Sequence, residues 1–341
     1  MEEKPKAIDL FCGCGGLTLG LKQAGFNVIG AIDIDKLSIE TYRANHPEVY
    51  LWESDIRLLS SNKIKQTLKL KKGELDLLAG CPPCQGFSQM RTKNGGYKVF
   101  DNRNTLIRDF ERLVEELLPK TVMMENVPGL KNYYRFQNFC TKLRKLGYSL
   151  KYDVLNAADY GVPQRRRRLI LIASRIGEIE FAGKTKKRTV ADAIKNFPKS
   201  GQSGDILHDY KERRTKKVLN LIKNIPTDGG SRSALDETMQ LQCHKEFAGF
   251  KDVYGRMAWN KQAPTITSGC TNPSKGRFLH PEDNRAITLR EAALLQSFPK
   301  DYIFKMNNRE SVALMIGNAL PPLFIKSHSK SIIEKLLKRG E

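Results

Sequence analysis

Short, continuously apolar runs recur through the first 175 residues, and each is followed by a stretch with apolar residues at helical spacing. The runs at 7–11, 28–33, 49–52, 75–79, 121–125 and 169–174 read as strands, and 37–44 and 105–118 as helices. Strands that are apolar throughout are buried on both faces. They require helices on both sides of a mostly parallel sheet, so the fold class is α/β. In such sheets ligands bind beyond the carboxyl ends of the strands. Every motif described below stands at such an end.

Past residue 180 the character changes. Residues 181–283 are rich in Lys, Gly, Ser, Asn and Pro and hold no sustained period, as expected of a smaller, irregular second domain. A helix then begins at Thr288-Leu-Arg-Glu291, a capping box ahead of an apolar run, and should stop at Phe298-Pro299. A further helical pattern over 311–337 is broken by Asn318-Ala-Leu-Pro-Pro322. The expected division is 1–180 for a catalytic and cofactor-binding domain and 181–300 for the irregular domain. A segment at 301–341 should return to the first. There is no internal repeat.

Charge narrows the partners. Fifty-eight Lys+Arg against 37 Asp+Glu give a net charge of +21, clustered at 164–168, 184–188 and 211–217. Such a balance is the footprint of a polyanion binder. No apolar run approaches the ~20 residues that span a bilayer, and the N-terminus MEEKPKAIDLF does not read as a signal peptide. An intracellular protein is expected. Seven cysteines, an odd number, argue against a disulfide framework. The five histidines are scattered, and Cys12 and Cys14 sit in a glycine-rich turn, so no metal site is expected.

The turn DLFCGCGG, residues 9–16, follows the first strand and opens a helix, where glycines let a backbone approach a ligand closely. No Gly-Lys-Ser/Thr ends it, so it is not a P-loop. Asp33, at the end of the second strand and twenty residues beyond Gly13, suits a carboxylate accepting from ribose hydroxyls. Asp55, after the third strand, could read an adenine amino group. Together these imply a nucleoside cofactor, either NAD or S-adenosylmethionine.

Three further clusters carry chemistry. In Gln164-Arg-Arg-Arg-Arg168, alternate residues of a strand would place Gln164, Arg166 and Arg168 on one face, a row suited to phosphates and base edges. In Cys81-Pro-Pro-Cys84 the cysteines could form a redox pair, half a zinc site, or one nucleophile beside an inert neighbour. Cys84 is followed by polar and glycine residues, whereas Cys81 still belongs to the strand's apolar end. Glu125, closing Met123-Met124-Glu125-Asn126, puts a carboxyl at the same sheet edge, where a buried carboxyl can act as an acid.

The ordered set DLFCGCGG, PPCQGFS, ENV, QRRRR, TLREAALLQSFP and IGNALPPL resembles the cytosine-C5 DNA methyltransferases of bacterial restriction-modification systems, over residues 7–325. The resemblance implies a Rossmann-like sheet, S-adenosylmethionine as cofactor and a target recognition domain in the irregular region. Phe11, Gly13, Gly15 and Gly16 would line the methionine and adenosine, Asp33 would hold the ribose and Ile34 would pack on the adenine. Asp55 and Ile56 would address the adenine edge, with Pro83, Leu106, Asn318 and Ala319 closing the pocket. Asp33 stands where many members have Glu, and Ile34 replaces a commoner aromatic residue.

Catalysis by resemblance centres on Cys84, Glu125, Arg166 and Arg168. Thiolate addition of Cys84 to C6 of a flipped-out cytosine, with Glu125 at N3, would make C5 nucleophilic toward the methyl group. Arg166 would support the base, while Arg168 and Gln164 would organise the loop. Gln85, Ser88, Gln164, Arg166, Thr265 and Ile266 would contact duplex DNA, the last two within the recognition element Ala263-Pro-Thr-Ile-Thr-Ser268. The expected setting is a cytoplasmic, nucleoid-associated monomer, with room for a cognate restriction endonuclease acting on the same site. The transfer-RNA branch of the family shares Pro-Pro-Cys-Gln, but this chain lacks that branch's Cys-Phe-Thr tripeptide. A thiol-disulfide oxidoreductase and a catalytically dead DNA-binding module are the readings from other classes.

Overall fold

The computed structural model describes residues 3–83, 106–239 and 252–338. Within them the chain divides into two compact units. One comprises Met1–Tyr160, Arg167–Lys184 and Leu320–Glu341, the other Gly161–Arg166 and Thr185–Ala319. These limits fall at 184 and 319, where composition alone placed changes at 180 and 300.

The first unit holds a seven-stranded sheet in the order β3-β2-β1-β4-β5-β7-β6. Its strands are β1 (Lys6–Leu10), β2 (Asn27–Asp33), β3 (Tyr50–Glu53), β4 (Leu77–Gly80), β5 (Thr121–Asn126), β6 (Ser149–Asn156) and β7 (Arg167–Ser174). β1 to β5 pair in parallel, and β7 inserts antiparallel between β5 and β6. The six expected strands are all present, each within two residues of its expected start. β6 was not foreseen, because its SLKYDVLN sequence is half-buried at nearly every position and shows neither clean alternation nor a continuous apolar run.

Helices α1 (Gly16–Ala24), α2 (Lys36–Asn45), α3 (Ser61–Leu68), α4 (Leu106–Leu117) and α5 (Tyr134–Lys145) flank the sheet strands in chain order. α4 buries Ile107, Phe110, Leu113, Val114 and Leu117, the spacing of one helical face. This stripe joins strand residues such as Ile8, Leu10, Leu78 and Met124 in the main core. α2 starts where Asp35 accepts from the Ser38 amide. Strand order reverses between β1, which leads to β2, and β4, which leads to β5. The ends of β1 and β4 therefore form the topological switch point at which such sheets bind ligands.

The second unit has α6 (Val190–Ile194), α7 (Lys216–Asn224), α8 (Leu289–Leu295) and α9 (Arg309–Asn318), joined by irregular chain with isolated bridges. The Thr288–Glu291 capping box forms as expected, but α8 ends at Leu295, before Phe298. The chain turns there through left-handed Ser297. The break at 319–322 separates α9 from α10 (Pro322–Leu337), which returns to the first unit and packs on α1. That contact is close enough that a methyl on Gly20 would lie 2.5 Å from Ile325 Cβ. Among the described residues, no helix is long and apolar enough to cross a membrane.

Candidate active site

β1 ends at Leu10, and the chain turns sharply through left-handed Phe11 (φ 62°), Gly13 (51°) and Gly15 (92°) into α1. Asp33 pins this turn: its Oδ2 accepts from the Gly13 amide at 2.7 Å, and its Oδ1 from Ile34 and Asp35 amides at 2.8 and 2.9 Å. Burial pushes the Asp33 carboxyl up from its ordinary range, against the pull of these amides. Ile34 beside it is 66% exposed, a large apolar side chain in the open just past a strand end. A methyl built on Gly13 would meet none of the described residues within 4 Å, so space lies open among them above the turn.

Beneath the turn lies Asp9, fully buried, with Oδ2 accepting from the Thr18 hydroxyl at 2.7 Å. Its Oδ1 has no hydrogen-bond partner among the described residues. Burial, aided by the negative charge of Asp33, raises the Asp9 carboxyl to about 7. The third acid of the motif set, Asp55, caps the short 3-10 turn Ile56–Leu58 through the Arg57 amide. It also accepts from the Arg57 guanidinium at 2.9 and 3.0 Å, which holds it below the usual carboxylate range. Ile56 is buried.

At the ends of β4 and β5, Asn126 Nδ2 donates to the Pro82 carbonyl at 2.8 Å, and Cys81 N donates to Leu10 O at 3.3 Å. The segment 81–83 is thereby tied to both neighbouring strand ends. Glu125, 7% exposed, receives the Arg168 guanidinium, with Nε 2.9 Å from Oε1. Burial and the Glu125 carboxylate push the Cys81 thiol well above its ordinary value, and burial does the same to Cys12 and Cys14. Pro83 and Leu106 are half-buried. Cys84, Gln85 and Ser88 lie outside the described residues.

The expected row of Gln164, Arg166 and Arg168 does not form. β7 begins only at Arg167, because segment 163–166 pairs instead with the segment Ala263–Ser268: Ala263 N donates to Pro163 O and Arg165 N to Ala263 O, both at 2.9 Å. Gln164 is fully buried and Arg166 is 2% exposed. Arg166 donates through Nη1 to Ile266 O and through Nη2 to Gly317 O, both at 3.0 Å. These side chains organise protein carbonyls, not a phosphate row. Ile266 is likewise fully buried, so its side chain anchors the segment Ala263–Ser268 and is not available to a ligand, contrary to expectation. Thr265, half-buried, donates its hydroxyl to Arg165 O at 2.7 Å. Asn318 is the exposed last residue of α9, and Ala319 caps it.

Two residues with no expected role stand out. Asp9 was legible as an acid at a strand end, but not as a buried one. Gln296, fully buried, bonds Gln164 and the Ile316 carbonyl. Its only signal in the sequence was a polar residue closing the apolar run Ala-Ala-Leu-Leu.

The mostly parallel sheet, its switch-point turn and the acid-ended strands define an α/β enzyme that binds a nucleoside-type cofactor. The chain belongs to the C-5 cytosine-specific DNA methylase family, whose profile it matches over residues 5–334. It transfers a methyl group to C5 of cytosine in DNA. Among its relatives, the Type II methylase M.HgiDII of Herpetosiphon aurantiacus is 37% identical over 341 residues, covering 95% of this chain and 94% of its own. The Type II methyltransferase M1.HphI of Haemophilus parahaemolyticus is 35% identical, covering 96% and 86%. Among solved structures, that of a prophage-encoded E. coli protein described as a DNA modification methyltransferase superposes with a TM-score of 0.71. It is 28% identical and covers 98% of this chain and 100% of its own.

Proposed function

We propose that this chain methylates one cytosine within a specific duplex DNA sequence, as the methyltransferase of a restriction-modification system, using Cys84 as nucleophile and S-adenosylmethionine as donor. The observation that carries the reading is the Glu125–Arg168 pair at the end of β5, beside a segment 81–83 that Asn126 ties to the same strand end. Cys84 follows that segment directly.

The turn suits the donor. Among the described residues, an open space above Gly13, a pinned carboxylate at Asp33, exposed Ile34 and an unpartnered Asp9 oxygen fit a cationic nucleoside with a planar base. Phe11, Gly13, Gly15 and Gly16 would line it, Asp33 would take the ribose and Ile34 the adenine face. Asp55, though bound by Arg57, keeps lone pairs for the adenine edge. Ile56, Pro83, Leu106, Asn318 and Ala319 would complete the pocket. When bound, S-adenosylmethionine supplies a methyl group on a sulfonium, open to attack by a nucleophilic carbon.

Cytosine C5 becomes such a carbon only after the Cys84 thiolate adds to C6. Glu125 in its acid form gives its proton to N3 as negative charge develops there, and Arg168 holds the carboxylate that is left. Once C5 has taken the methyl group, with S-adenosylhomocysteine leaving, loss of the C5 proton to solvent, expulsion of the Cys84 thiolate and return of the N3 proton to Glu125 restore the aromatic ring. Arg166 supports the site of the flipped base through the Ile266 and Gly317 carbonyls that it holds, and Gln85, Ser88 and Thr265 contact DNA, with Gln164 shaping the element that bears Thr265. The protein would act as a cytoplasmic, nucleoid-bound monomer alongside an endonuclease of the same specificity.

Transfer of tritiated methyl groups is the test, run on duplex DNA and on transfer RNA in parallel. Label in duplex DNA is expected, with a covalent complex trapped on DNA containing 5-fluorocytosine. Label confined to transfer RNA would overturn the reading.

A further inference from the structure

The backbone of Ile266, in the recognition element, is gripped on both sides. Its N–H donates to Gln164 Oε1 at 2.7 Å, and its carbonyl accepts from Arg166 Nη1 at 3.0 Å. Both grips lead to the C-terminal end of α9. Arg166 Nη2 donates to Gly317 O at 3.0 Å. Gln164 Nε2 donates to Gln296 Oε1 at 2.8 Å, and Gln296 Nε2 donates to Ile316 O at 2.6 Å. α9 and the element also touch directly, since a methyl on Gly317 would lie 2.3 Å from Ser268 N.

The ends of the glutamine relay fix its sense. The Ile266 N–H can only donate and the Ile316 carbonyl can only accept, so both amides between them have one permitted orientation. Gln164, Arg166, Ile266 and Gln296 are all buried, where an unmade hydrogen bond is costly and a satisfied network holds one arrangement. A shift of the recognition element therefore either carries the end of α9 with it or breaks buried bonds. The end of α9 bears Asn318 and Ala319.

We infer that Gln296 is a positioning residue that couples docking of the recognition element on its DNA sequence to the cofactor-binding end of α9. The inference rests on the proposed function, which gives Thr265 to DNA and Asn318 and Ala319 to the donor. Sequence fidelity is then expressed partly in how tightly the donor site is held, not only in DNA affinity. Coupling of this kind is reciprocal: the donor side must tighten the recognition element as well.

The test uses Gln296→Met and Gln296→Leu, which keep a side chain of similar bulk but remove the donor to Ile316. The cognate duplex is first identified by sequencing 5-methylcytosine in DNA from expressing cells. Calorimetry then reads S-adenosylhomocysteine affinity with the free protein and with saturating cognate duplex. The wild-type protein should bind the nucleoside more tightly with the duplex, and both variants should lose about tenfold of that gain, within the usual span of coupling. Their affinity without DNA should move less than about twofold, a margin that unfolding or loss of the pocket would exceed. A gain equal to wild type in both variants overturns the coupling. A measurement free of substitutions stands beside it: S-adenosylhomocysteine alone should slow hydrogen exchange at the Ile266 amide, and unchanged exchange also overturns the coupling. Absence of methyl transfer to any duplex would instead sink the proposed function itself.

Discussion

Arg168 on β7 and Glu125 on β5 meet across adjacent antiparallel strands, with Nε 2.9 Å from Oε1 and both side chains largely shielded from water. The pair has two jobs that substitution separates. Glu125→Gln keeps the shape and removes the charge, so kcat should fall by about 10²–10⁴, the usual worth of a positioned acid or base, with little change in melting temperature. Arg168→Ala leaves the shielded carboxylate without its charge partner, which costs about 3–5 kcal/mol when burial is deep and somewhat less at this partly open edge. It should lower both kcat and melting temperature. A purely structural pair would show the reverse, with Glu125→Gln destabilising and barely slowing the reaction.

The two cysteines of Cys81-Pro-Pro-Cys84 should behave unequally. Burial and the Glu125 carboxylate hold the Cys81 thiol protonated, and a protonated thiol is neither nucleophile nor half of a working redox couple. Cys81→Ser should keep most methyl transfer, whereas Cys84→Ser should abolish transfer and covalent capture of 5-fluorocytosine DNA. Equal loss from both, read by denaturing-gel shift, would favour the oxidoreductase.

Strand positions and the switch-point turn were legible because they rest on local signals: apolar runs, glycines, and acids at strand ends. Asp33 shows how far that reaches. Its spacing from Gly13 could be counted, and the two prove to be bonded at 2.7 Å. The fate of Gln164 and Arg166 was not legible. A basic run reads as solvent-facing unless its partners are known, and these partners are carbonyls of Ile266, Leu295 and Gly317, at least 100 residues away in the chain. Gln296 escaped notice for the same reason, since a buried relay has no periodicity. β6 was missed because an edge strand with half-buried faces carries little pattern.

Asp33 invites a graded test of the donor pocket. Its oxygens already serve three backbone amides, so Asp33→Ala removes the pin on the turn and, on the proposed function, the ribose contact. Hydrogen bonds to a charged group are worth about 1.5–3 kcal/mol, and S-adenosylhomocysteine affinity should fall by about 10- to 150-fold by calorimetry. Asp33→Glu, the commoner residue of the resembling family, should bind within about tenfold of wild type. Equal affinity in Asp33→Ala would remove Asp33 from the pocket.

Acid should destabilise the first unit through two buried histidines. His328 on α10 is caged by the rings of Tyr160, Phe324 and Phe181 at 4.4, 5.0 and 5.6 Å, and burial lowers it to about 4. Burial, then the Lys22 ammonium near its Nδ1, lowers His46 to about 4 against the opposing pull of Glu48. Unfolded imidazoles protonate near 6.5. Between about pH 6.5 and 4 the unfolded chain thus binds more protons, so stability is full above that window and falls as pH drops through it. Each histidine could cost up to about 3 kcal/mol by the lower end. His328→Phe keeps a flat ring in the cage without the titrating nitrogens. Urea unfolding at pH 7, 5.5 and 4.5 should therefore show a shallower acid loss for His328→Phe than for wild type, with stability at pH 7 lowered by about 1 kcal/mol because the Ala182 amide loses Nδ1 as acceptor. Parallel pH curves for the two proteins would mean that the folded chain already accepts the proton at His328.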